Sequence, residues 1–136
     1  MGHMQRSAAT LRIVGDDLIP AEVSSLLGCA PTVAQRKGEV LIVQKTGAER
    51  TARIGMWRLQ STDREPENLD GPIEEILGKM TGDIETWKAL TRRFRVDLFC
   101  GLFMGAGNEG LTISPSALSK LGQRGIELAI DVYGPD

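Results

Sequence analysis

The chain has 136 residues, 41% of them hydrophobic and 25% charged, with sixteen basic against eighteen acidic side chains and a net charge of -2. That size suits one domain with a core of its own, the balance is that of a globular chain, and the near-neutral sum supplies no global field for nucleic acid. The longest uncharged apolar run, Leu98 to Ala106, falls far short of the roughly 20 residues that span a bilayer, so no membrane partner is expected.

The first residues, MGHMQRSAAT, lack the apolar stretch of a signal peptide, and residues 1–4 read as a cloning remnant ahead of a single domain over 10–134. Two cysteines, Cys29 and Cys100, are too few for a secreted disulfide scaffold, which points to a reduced, cytoplasmic protein. Thr10 to Val14 alternates as a strand that Gly15-Asp16-Asp17 ends. Pro20 then opens a short helix with Val23, Leu26 and Leu27 on one face, and Gly28 closes it. The following stretch, Leu27 to Glu39 (LGCAPTVAQRKGE), looks like a phosphate loop, but its glycine closes a helix where a phosphate cradle opens one. A stiff connector is the expectation there.

Val40 to Gln44 and Thr51 to Ser61 read as two strands of a hairpin across Thr46-Gly47-Ala48. Between Pro72 and Phe94 apolar residues recur at helical spacing, either as one helix or as two broken near Thr81-Gly82. Val96 to Phe103 is apolar on both alternating sets beyond Asp97, as in a central strand with both faces largely covered. Leu111 to Ile113 is the expected return strand, Ser114-Pro115 caps a helix that Gly122 ends, and Ile126 to Tyr133 closes the chain as a strand. This order predicts an α+β fold, an antiparallel or mixed sheet of about five to six strands with helices mainly on one face. The helices Leu18–Gly28 and Ile113–Gly122 echo each other in their opening proline and closing glycine.

With His3 set aside, no histidine remains to pair with a serine or cysteine nucleophile. Two separated cysteines make no zinc site, and residues 63 to 75 lack the register of a calcium loop. No catalytic residue, metal ligand or cofactor is therefore assigned, and an enzyme is the lesser expectation. Asp63, Glu65, Glu67 and Asp70 belong to an acidic stretch able to steer toward a basic protein partner such as a toxin; a solvated loop is the commoner use of such charge. Arg36, Lys37 and Trp57 are the candidates for a ligand pocket between sheet and helices, although core packing is the ordinary role of a tryptophan on an apolar face. Arg92, Arg93 and Arg95 suit a helix end better than a nucleic-acid surface.

The succession LRIVG, LIPAEVSSLLG, APT, KGE, GMW, VDLFCGLF and ISPSALSKLGQRGIELAIDVY resembles a bacterial family known as a domain of unknown function, four-two-seven-nine. The resemblance runs from about Leu11 to Tyr133, with Ile19 standing before Pro20 where a polar cap is expected. It implies a small intracellular α+β domain and carries no active site over. Three functions follow as expectations: a non-enzymatic binding protein, with toxin immunity or another form of protein inhibition as its concrete version; a small-molecule or nucleotide-binding domain; or a homodimerisation domain built on an exposed edge strand. A monomer and a homodimer are both compatible with the sequence.

Overall fold

The computed structural model describes residues 2–62, 69–105, 107 and 109–134, with the side chains of 2–7 and 109 left aside. The domain is α+β, as its pattern predicts. Strand β1 (Gly2–Gly15) lies at the centre of the main sheet. It begins well before the expected Thr10: residues from Met4 onward pair with β6 (Arg95–Met104), starting at Met4↔Met104, although MQRSAA shows no alternation to read.

Helix α1 (Pro20–Leu27) follows, then β2 (Val33–Gln35), β3 (Val40–Ile42), β4 (Glu49–Thr51) and β5 (Gly55–Gln60). Helices α2 (Asp70–Leu77) and α3 (Ile84–Arg93) precede β6, and β7 (Glu109–Gly110), α4 (Pro115–Arg124) and β8 (Glu127–Tyr133) complete the chain. The main sheet runs β2-β5-β1-β6-β8, with β7 attached to β1 and with β3 and β4 forming a separate two-stranded ribbon. Strand β6 pairs antiparallel with β1 and parallel with β8, so the sheet is mixed.

Three local expectations are corrected. The single strand expected over Thr51–Ser61 is two: β4 pairs with β3, whereas β5 leaves the hairpin to pair with both β1 and β2. The stretch after α1 is not only a connector, since Val33–Gln35 forms the sheet's first edge. The expected return strand after β6 is replaced by β7, which pairs parallel with β1, while the chain beyond it ties to the start of α2 through Leu69 N–H donating to the Thr112 carbonyl at 3.1 Å.

The core lies on one face of the sheet. Ala9, Leu11 and Ile13 of β1, Trp57 and Leu59 of β5, and Leu98 and Cys100 of β6 share that face by register, and all are buried against Val23, Ile73, Ile76, Trp87, Leu90 and Leu121 from the helices. The apolar face between Pro72 and Phe94 is two helices. Both short helices that open on proline end on a left-handed glycine, Gly28 at φ 70° and Gly125 at φ 72°. The second therefore continues past Gly122. It closes with Ile126 N–H bonded to the Leu121 carbonyl and Gly125 N–H to that of Gly122, while Leu121 and Ile126 are both buried. That apolar contact is what selects the later of the two glycines as the stop.

Candidate functional site

Glycine and charge mark the base and tip of the β3–β4 ribbon. Gly38 N–H donates to the Ala52 carbonyl and Ala52 N–H to that of Glu39, both at 2.8 Å, closing the base. Val40, Leu41 and Ile42 pair with Thr51, Arg50 and Glu49. At the tip, the Val43 carbonyl accepts from Gly47 N–H at 2.7 Å, and Gly47 takes φ 71°, a conformation that costs glycine no steric clash. The outcome is a hairpin whose large apolar side chains face water: Val40 is 58% exposed, Ile42 68% and Val43 38%. A two-stranded ribbon is marginal in water unless something covers it, and contiguous exposed apolar side chains mark interaction sites.

The pocket residues expected from sequence divide around this ribbon. Arg36 and Lys37 are exposed at its root, where the Arg36 carbonyl accepts from Glu39 N–H and the Lys37 ammonium lies 3.4 Å from the Asp16 carboxylate. Trp57 sits elsewhere, 0% exposed in the core, its indole N–H donating to the Ser24 hydroxyl at 3.0 Å. The structure thus does not bring Trp57 and the two cations to one surface.

The acidic stretch is partly committed within the molecule. Asp70, at the start of α2, accepts from the Ser114 N–H at 2.9 Å and so fastens α2 to the cap of α4. Both carboxylate oxygens of Glu74 accept from the Lys120 ammonium of α4 at 2.8 Å, and Glu75 accepts from the backbone and hydroxyl of Thr62. Asp63, Glu65 and Glu67 lie outside the described residues. The basic cluster is spread likewise: Arg93 pairs with Glu22 of α1 and stacks on Phe94, and Arg95 lies 3.7 Å from Glu127.

The sheet face away from the helices carries a constellation that sequence reading missed. Arg12 and Asp97 are cross-strand partners, joined by two hydrogen bonds of 2.8 and 2.6 Å, and the guanidinium lies 4.5 Å over the Phe99 ring. Asp97 is only 6% exposed. Its hydrogen bonds raise the Arg12 pKa against the opposing effect of burial. Beside them Phe103 and Tyr133 stack at 4.7 Å, and a hydrogen bond to Asp131 pushes the Tyr133 phenol up. These pairs lock the face and neutralise its central charge; the partners stand 85 positions apart in sequence, so no local pattern announces them.

Burial pushes the Cys100 thiol up to about 12, with the Asp97 charge adding to it, so at neutral pH it is a packed thiol rather than a nucleophile. No group of three or more His, Cys, Asp or Glu side chains among the described residues is arranged to hold a metal ion. None of the described helices is long and apolar enough to cross a membrane.

No curated protein and no solved structure matched the chain. A family model does match, over residues 4–135, which takes in the strand, the two glycine-closed helices and the hairpin just described. The chain belongs to the family described as Domain of unknown function (DUF4279).

Proposed function

We propose that the protein is a non-enzymatic binding protein that engages another protein through the β3–β4 hairpin. The observation that carries this reading is the exposure of Val40, Ile42 and Val43 on a ribbon that joins no other strand among the described residues. A partner presenting an apolar cleft would bury those side chains, and Glu39, Lys45, Glu49 and Arg50 supply both signs of charge around them for a polar rim. The concrete version is inhibition in the bacterial cytoplasm. A ribbon that fills a cleft blocks it, which is what an immunity protein does to a toxin, and Asp63, Glu65 and Glu67 add the negative charge that favours a basic partner.

The test is affinity capture from the native host with the wild-type chain and with a Val40→Ser/Ile42→Ser double variant, paired with a thermal-shift screen of metabolites and nucleotides. The proposal expects one protein recovered in stoichiometric amount by the wild type, its loss with the double variant, and a flat screen. A strong shift with a small ligand, without such a partner, would replace it by the small-molecule reading.

A further inference from the structure

The two edges of the main sheet are protected to different degrees. At one edge β2 is three residues long and is followed at once by Arg36 and Lys37, the short length and positive charge that blunt an edge against pairing. At the other, β8 presents seven residues, ELAIDVY, with no proline, lysine or arginine. No strand pairs with its outer side among the described residues. Its two charges have partners on this chain, Glu127 with Arg95 and Asp131 with Tyr133.

The side chains repeat this asymmetry. On the helix-side face, Leu98, Cys100 and Leu102 of β6 are buried, but their register partners on β8 become progressively bare: Leu128 is half-buried, Ile130 47% exposed and Val132 51% exposed. Leu118, 48% exposed, lies on α4, the helix that packs against β8. The core face continues past the point where this chain's own helices cover it.

We infer that β8 pairs antiparallel with β8 of a second copy of this chain, about a two-fold axis through Ile130, to give one continuous sheet. The register follows from the pleat and the charges. Side chains opposite each other in an antiparallel pair share a face, so the two helix layers lie on the same side only when a residue, not a peptide bond, sits on the axis. Centring on Ala129 sets Glu127 against Asp131, and centring on Asp131 sets that carboxylate against itself; like charges directly opposite are destabilising. Centring on Ile130 avoids both. Glu127 meets Tyr133, Leu128 meets Val132, Ala129 meets Asp131 and Ile130 meets its own mate, so all seven residues of the strand pair. The occupant is a second copy because this edge is complementary to itself in that register, with apolar facing apolar and each carboxylate facing a neutral side chain.

The test is sedimentation over a dilution series of the full chain with Ile130→Lys, Ala129→Lys and Ala129→Glu variants and an Ile42→Lys control. The wild type forms a reversible dimer, and Ile130→Lys is monomeric with unchanged circular dichroism. Ala129→Lys, which places a cation opposite Asp131 twice, tightens dimerisation by roughly two- to tenfold, whereas Ala129→Glu weakens it by a similar factor. Ile42→Lys leaves it unchanged. The Ala129 pair decides the matter even if Ile130→Lys does not fold. A wild type that stays monomeric at the highest concentration reached, a dimer that ignores the Ala129 charge, or one dissolved by Ile42→Lys overturns the inference.

Discussion

The β3–β4 ribbon and strand β8 expose similar apolar side chains for different physical reasons. On the ribbon, Val40 and Ile42 stand on one of two short strands that, among the described residues, pair only with each other, so the exposed surface is side chain on a support of low stability. On β8, Ile130 and Val132 stand on a strand bonded along its length to the central β6, so what is offered is a rigid backbone edge with a core behind it. The two places thus offer exposed apolar surface differently: a ribbon that the proposed partner would cover, and an edge whose order already exists, as the proposed pairing requires.

Perturbations of the sheet between them should cost most. Trp57→Ala empties the core beneath β5 and strips Ser24 of its indole donor, and should lower unfolding free energy in urea by about 3–5 kcal/mol. Next comes Cys100, on the strand that backs β8. Its thiol remains neutral to higher pH when folded than the ordinary value of 9.0 allows, so this contribution is fully present below pH 9 and is lost as pH rises toward about 12. Urea titrations at rising alkaline pH should show the wild type losing on the order of 2–4 kcal/mol more than Cys100→Ala across that window. Equal slopes would remove the burial argument.

Gly55→Ala probes the start of β5, where an added Cβ would come within 2.5 Å of the Gly15 carbonyl oxygen and 2.9 Å of Leu18 Cβ; a loss of about 1–3 kcal/mol is expected. The smallest effect belongs to the ribbon. Ile42→Ser should alter stability by no more than about 0.5 kcal/mol, since its side chain leaves no cavity behind. A drop as large as that of Gly55→Ala would mean that the ribbon is part of the core after all.

The sequence was legible where local chemistry decides structure. Proline at the start marked α1 and α4, the closing glycine marked the end of α1 but was placed three residues early for α4, and the apolar spacing marked the residues of α2 and α3. It was opaque where pairing is non-local. Val33–Gln35 is too short to show alternation, and no proline or turn cluster marks Ala52–Ile54, where the chain passes from one sheet to another; the one local sign is the step of three from Ile54 to Trp57, which breaks the alternation. Gly122 and Gly125 are equally good stops by residue type, and only burial of Leu121 with Ile126 chooses between them. As to the site, Arg36 and Lys37 do stand beside the ribbon, but its exposure is invisible in a sequence where VLIV reads as any core strand. Asp70 looked like free surface charge because its partner, the Ser114 amide, lies 44 positions away.

Amide hydrogen exchange on the protein alone tests most directly whether the ribbon is ordered apart from the core, as the proposed binding role requires. The bonded amides of Val43 and Ala52 in the hairpin should exchange roughly a hundredfold or more faster than those of Leu11 and Leu98 in the central strands. Equal protection at the two places would contradict the account.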